Sequence, residues 1–285
     1  MASLFSDRRR LAAFALVVLF LGFSRTPAWA GGQVADSYGG REMIVYVPSQ
    51  LPPAGSRALV VVLHGGLGNA QRIASQQAES GLNMNAVADR GGFVVAYLNG
   101  TPVTKRLGPR FLGWNAGGGC CGESAANNVD DVAYIKGAVA YLAAKYGVDP
   151  ARVYGMGHSN GAMMTLRIMC ETRLYAAGVA ISGPLNLEVS TCPAAHGERI
   201  LALHGADDQN VPIGGGRGKG LSQTPFSSEE RSRRVLVNSG AAYTLQIVPG
   251  ADHFLDHIQA VIQKTEGVTI AEKAAAFFGV LKPAG

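Results

Sequence analysis

Hydrophobic positions fall in short runs separated by stretches of helix length. Residues 58–63, Ala-Leu-Val-Val-Val-Leu, are apolar throughout, the pattern of a strand buried on both faces. Further apolar runs at 43–47, 93–98, 152–155, 178–181, 200–203 and 243–248 predict more strands. Helical patterning fills 70–90, 129–145, 162–170 and 270–281, and another helix starts near Phe254. Gly81 is a candidate break in the first of these, and Pro48 ends the strand at 43–47. Asp130 and Asp131 lie in the first turn of the 129–145 helix, where the dipole favours acids. This alternation predicts an α/β fold, a mostly parallel central sheet with helices on both faces. Two stretches break the pattern as long loops: 99–128, with Trp114 and many glycines, and 212–229, Gly-rich and then Ser-rich. Long loops in compact domains often carry function. The 182–199 gap is too short for a large helical cap domain, which predicts an open site. Neither a repeat nor a linker is visible, so residues 31–285 read as one catalytic domain.

The first 30 residues read differently. Arg8, Arg9 and Arg10 precede an apolar stretch over 11–23, and Ala28-Trp29-Ala30 fits the small-x-small cleavage rule. Residues 1–30 are therefore expected to be a signal peptide, which implies a secreted or periplasmic product. An uncleaved anchor is the alternative, but the apolar stretch is short for a span, and no later run reaches the length of a membrane helix. The stretch Ser6-Asp7-Arg8-Arg9-Arg10-Leu11 faintly resembles a twin-arginine signal.

Charge then changes meaning. The formal net charge of +5 loses Arg8, Arg9, Arg10, Arg25 and Asp7 with the leader, leaving 21 basic and 19 acidic residues and +2. No basic block remains to bind a nucleic acid backbone. Cys120, Cys121, Cys170 and Cys192 are disulfide candidates, since export meets oxidising conditions. No Cys-x-x-Cys occurs, which argues against redox and zinc motifs. Cys170 at the end of one helix and Cys192 on the return path to the next strand form a feasible pair. A Cys120–Cys121 bridge falls below the usual Cα separation across a trans peptide, and connectivity stays open.

The sharpest chemical signal is Gly157-His158-Ser159-Asn160-Gly161, a Gly-x-Ser-x-Gly between a predicted strand and a predicted helix. Such a turn exposes a strained serine at a strand tip and a helix N-terminus, where negative charge is favoured. A serine hydroxyl needs a base. His253 follows the last strand and Asp208 follows the strand before it, both at carboxyl ends where open sheets build their sites. Asp207 is the alternative acid and His257 the alternative base. His196 and His204 show no clear partner, and His204 reads as packed or hydrogen-bonded. Two backbone N–H groups must stabilise a developing oxyanion. Asn160 supplies one, and Gly66 in His64-Gly65-Gly66-Leu67-Gly68 the other, with Leu67 next. Trp114 and His158 are candidate substrate contacts, with a loop anchor and a structural role as their respective alternatives. The chemistry calls for no cofactor, nucleotide or metal. Gly214–Lys219 fails the phosphate-loop pattern because Gly220 follows Lys219.

Taken together, these motifs resemble the esterase/poly(3-hydroxybutyrate) depolymerase family of the α/β-hydrolase fold, which includes feruloyl and acetyl-xylan esterases. The resemblance runs from about Arg41 to His253. It rests on Val61-Val62-Leu63-His64-Gly65, Trp114-Asn115-Ala116-Gly117 leading to Cys120-Cys121-Gly122, and Val129-Asp130-Asp131-Val132. It continues in Tyr154 to Met163 and in His204-Gly205-x-x-Asp208-x-x-Val211-Pro212. The family's spacing selects Asp208 over Asp207. Membership implies a secreted serine carboxylic ester hydrolase working through a Ser-Asp-His triad. Its expected substrates are poly- or oligo-3-hydroxybutyrate esters, or alternatively feruloyl or acetyl-xylan esters. Family members commonly carry His-x-Trp-Pro-Gly at the histidine, whereas this chain reads His253-Phe254-Leu255-Asp256-His257, which alters the expected substrate surface. No separate substrate-binding domain is expected after residue 285, so soluble oligomers, amorphous polymer or small aromatic esters are expected over crystalline polymer. A serine peptidase of the same fold and a non-catalytic binding protein are the competing classes.

Overall fold

Eight strands form one sheet in the computed structural model, which describes residues 31–75, 80–220 and 224–281. They are β1 (Gly32–Tyr38), β2 (Arg41–Val47), β3 (Arg57–Leu63), β4 (Val94–Leu98), β5 (Val148–His158), β6 (Ala177–Ile181), β7 (Arg199–Gly205) and β8 (Ala242–Val248). Their spatial order is β1-β2-β4-β3-β5-β6-β7-β8. β2 runs antiparallel to both β1 and β4, and every other neighbouring pair is parallel. The expected signal peptide lies outside the described residues.

All seven residues of β3 are buried, because both faces of the sheet are covered. Strand alternation divides them. Leu59, Val61 and Leu63 join a core under α4 (Asp131–Tyr146), α5 (Asn160–Glu171) and α6 (Glu229–Asn238). Val60 and Val62 join the opposite core, under α1 (Ala70–Ala74), α2 (Asn85–Gly91), α7 (Leu255–Glu266) and α8 (Ile270–Phe278). For labelling, α3 is Gly122–Ala126. None of the described helices is long and apolar enough to cross a membrane.

Several expectations shift. The 70–90 helix is two helices, α1 and α2, with a 3-10 turn at Ser80–Leu82 between them. The short strand at 152–155 extends to the eleven residues of β5. Asp130 is the N-cap of α4, its side chain accepting from the Ala133 amide, rather than a first-turn acid. The loop at 99–128 contains α3, and β1 and α6 had no strand or helix signal assigned to them. Residues 182–198 hold only a 3-10 turn at Pro193–Ala195, so no helical cap domain is built there.

Cys170 and Cys192 are bonded, tying the end of α5 to the segment that leads into β7. Cys120 and Cys121 are bonded to each other. The peptide between them is cis.

Candidate active site

Ser159 caps α5 directly after β5, with φ 54° and ψ −120°. A positive φ is costly for a side-chain-bearing residue and persists only where the surroundings over-determine it. Here the Ser159 amide donates to the Ile181 carbonyl at 2.8 Å, holding the turn to β6. The flanking glycines are a steric requirement. A β-carbon on Gly157 would lie 2.4 Å from the Gly161 carbonyl, and one on Gly161 would lie 2.3 Å from the Leu63 oxygen. The hydroxyl is thereby presented at the carboxyl edge of the sheet, at the positive end of a helix.

Two loops from neighbouring strand ends converge on it. His253 Nε2 is 2.9 Å from Ser159 Oγ, and His253 Nδ1 is 2.7 Å from Asp208 Oδ2. With Nδ1–H donating to the carboxylate, Nε2 is left to accept the serine proton. The other carboxylate oxygen, Oδ1, accepts from the Asn210 and Val211 amides at 2.9 and 2.8 Å. Burial opposes the charge of Asp208, but hydrogen bonds from His204 and His253 outweigh it and hold the carboxyl well below the usual range. Gly205 lets the two loops touch, since a β-carbon there would lie 2.3 Å from the Asp252 carbonyl oxygen. His158 fixes the histidine loop from below, its Nε2–H donating to the His253 carbonyl at 2.8 Å. Burial, followed by the nearby His253, depresses the His158 pKa to about 3, so this ring is neutral.

The alternatives sit elsewhere. Asp207 is exposed, and its amide donates to Ala251 O. His257 pairs with Asp252 at the surface, at 2.8 Å.

The 64–68 loop is shaped by His64. The Gly100 amide donates to its Nε2 at 3.1 Å, so Nδ1 carries the proton and donates to Gly65 O at 2.8 Å. Burial pulls the His64 pKa down to about 4, consistent with a neutral ring. Gly65 O also accepts from the Gly68 amide. In a trans peptide N–H and C=O point in opposite directions, so this anchoring turns the Gly66 N–H away from His64. Gly66 lies against Asn160, where a β-carbon would sit 3.8 Å from Asn160 Cβ. The Leu67 amide is already committed to Leu112 O at 2.8 Å.

Trp114 does not line a cleft. Its ring is fully buried against His64 and Tyr134, and Nε1–H donates to His64 O at 3.0 Å. The loop-anchor alternative therefore describes it. His158 is likewise buried, and its polar contact is with the His253 backbone rather than with open space.

Sequence reasoning did not assign the Asn160 side chain. It accepts from the Trp114 amide at 2.7 Å and donates to the Trp114 carbonyl at 3.0 Å, clamping the 112–121 loop onto α5. Beside the 64–68 loop, a cleft of about 650 Å³ is bordered by Leu67, Arg72, Arg110, Phe111 and Leu112.

His204 also has partners that the sequence did not reveal. It is fully buried, with Nδ1 2.7 Å from Glu229 Oε1 and Nε2 2.9 Å from Val211 O and 3.2 Å from Asp208 Oδ2. Burial disfavours its charge, but Asp208 and Glu229 override that and raise its pKa to about 9. Among the described residues, no group of three or more His, Cys, Asp or Glu side chains could hold a metal ion.

The prolyl oligopeptidase family matches residues 80–194. A puromycin-hydrolysing peptidase of Mycobacterium tuberculosis superposes with a TM-score of 0.62 at 18% identity, covering 91% of this chain and 41% of that one. The chain has the α/β-hydrolase fold. Curated relatives carry esterase names. A putative esterase, NocK, of Nocardia uniformis is 32% identical over 200 residues, 69% of this chain and 53% of its own length. Feruloyl esterase B of Neurospora crassa is 36% identical over 147 residues, 50% and 43% of the two chains. A poly(3-hydroxybutyrate) depolymerase of Ralstonia pickettii is 32% identical over 214 residues, 69% and 41%. The chain thus spans about half the length of the curated relatives it matches.

Proposed function

We propose that this α/β-hydrolase is a secreted serine carboxylic ester hydrolase. The reading rests on one observation above all, the unbroken hydrogen-bond chain from Ser159 Oγ through His253 to Asp208. In this reading Ser159 Oγ attacks the ester carbonyl carbon while His253 Nε2 takes its proton. The Gly66 and Asn160 amides receive the oxyanion. Collapse of the tetrahedral adduct breaks the acyl–oxygen bond, and His253 returns the proton to the departing alcohol. Water then attacks the acyl-enzyme with His253 again as base, releasing the acid and restoring Ser159. Asp208 stays ionised and stabilises the imidazolium formed in each half. The low-lying Asp208 carboxyl supports that role.

An ester substrate is favoured over a peptide because the curated relatives named above are esterases over up to 214 aligned residues. The prolyl oligopeptidase match covers a shorter span. Oligo-3-hydroxybutyrate is the proposed substrate class, with feruloyl esters second. The test is turnover of p-nitrophenyl butyrate by the wild type and by Ser159→Ala. We expect at least a 10³-fold loss of kcat in the variant, in keeping with the removal of a nucleophile that acts as a unit with its base. Undiminished cleavage by the variant would overturn the reading. Parallel turnover of a 3-hydroxybutyrate trimer and methyl ferulate ranks the two substrate classes.

A further inference from the structure

Behind the proposed acid lies a second buried charge cluster that the reaction as written does not use. His204 and Glu229 carry hydrogen bonds that neutral groups could not all make. Both ring nitrogens of His204 face acceptors alone: Glu229 Oε1 at 2.7 Å on one side, Val211 O at 2.9 Å and Asp208 Oδ2 at 3.2 Å on the other. A neutral imidazole has one donor and one acceptor nitrogen, so it would turn a lone pair toward a carbonyl or a carboxylate. The doubly protonated ring satisfies every contact. Glu229 in turn takes the Tyr243 hydroxyl at 2.6 Å on Oε2, so each of its oxygens has a donor. His204, Asp208 and Glu229 are all buried, which strengthens charged hydrogen bonds and makes an unpaired one costly.

We propose that His204, held as an imidazolium between Glu229 and Asp208, is a positioning residue for the triad, and that Glu229 is the counter-ion that keeps it charged. The inference rests on the esterase reading of the triad. The cation shares Asp208 Oδ2 with His253 Nδ1, while Oδ1 is pinned by two backbone amides. Four donors therefore fix one carboxylate in one plane, with Oδ2 aimed at the base. The cation also tempers the pull of Asp208 on a proton at His253. The groups facing His204 are Glu229 from α6, Asp208 from the loop after β7 and Tyr243 from β8, with His158 at the end of β5 and His253 beyond Asp208. The raised pKa of His204 supports the same protonation state.

Glu229→Gln is the discriminating variant. The amide can donate to His204 Nδ1 while Nε2–H keeps its acceptors, so the hydrogen bonds survive and the cation is lost. The acid limb of kcat/KM reports protonation of the base. Without the nearby cation, the imidazolium of His253 is better stabilised, so that limb should move to higher pH by half a unit or more. The value of kcat should fall about 5- to 10-fold with KM changed less than twofold. An unchanged limb together with kcat within twofold of wild type would overturn the proposal.

Histidine ¹⁵N spectra of the wild-type protein at pH 7.5 give a second readout that needs neither a variant nor a substrate. Both His204 nitrogens should appear protonated, and a neutral His204 would overturn the proposal. Absence of ester turnover in the wild type would count against the esterase reading, while the ¹⁵N result still decides the state of His204.

Discussion

Asn160 does two jobs at once, and they are separable by mutation. Its backbone amide is a proposed oxyanion donor, and its side chain clamps both polar groups of the Trp114 peptide. Asn160→Ala keeps the first and leaves the buried Trp114 N–H unpaired, at a cost of about 1–3 kcal/mol, while the Trp114 carbonyl keeps the Cys121 amide. We expect a lower melting temperature and a drop of about tenfold in kcat as the 112–121 loop lifts away, read by calorimetry and steady-state kinetics. Single residues also show where the sequence was and was not legible. Ser159 could be read because Gly157 and Gly161 are the flanks its strained turn demands. His204 could not be paired, because Glu229 lies beside Glu230 in the first turn of α6, where acids usually serve the dipole. Trp114 suggested a substrate wall because it sits in a Gly-rich loop. The carbonyl of His64, fifty residues away in sequence, makes it an anchor instead.

At the scale of elements, apolar and alternating strands announced themselves and the polar edge strand β1 did not. β3 and β4 are buried along their whole length and could be read from composition alone. β1, Gly-Gln-Val-Ala-Asp-Ser-Tyr, is an edge strand, half-exposed or exposed throughout, and carries almost no apolar signal. α6 begins Glu-Glu-Arg-Ser-Arg-Arg and shows its apolar face only at Val235 and Leu236. The helix that carries the nucleophile is fastened at its far end by Cys170–Cys192, a separation of 22 residues. Loop-closure entropy for that span is worth about 3 kcal/mol. Replacing both cysteines by alanine should therefore lower unfolding free energy by about 2–4 kcal/mol in urea titrations. Specific activity at 25 °C should be little changed in the folded fraction, because the bridge is remote from Ser159 along α5.

Over the whole molecule, Glu198 couples stability to pH. It is buried, and neither carboxyl oxygen has a hydrogen-bond partner. Burial raises its pKa to about 8, only partly opposed by Arg173. The folded state therefore holds a proton that the unfolded chain releases near the ordinary carboxyl value. For an acid shifted upward, stability is greatest below the unfolded pKa and falls as pH rises toward the folded one. Glu198→Gln removes this linkage. Its melting temperature should match or trail that of wild type near pH 4.5 and overtake it by pH 8, where roughly 1–3 kcal/mol separates the two. A gap that stays constant with pH would show that Glu198 is ionised throughout.

The carbonyl of residue 253 is fastened to the imidazole just ahead of the nucleophile. The loop of the base is thus pinned directly to the strand tip that carries the hydroxyl. Warming the protein should not part the two before the strand ends give way. Catalytic failure and cooperative melting should consequently coincide, so residual ester cleavage after graded heat pulses should trace the calorimetric transition rather than precede it.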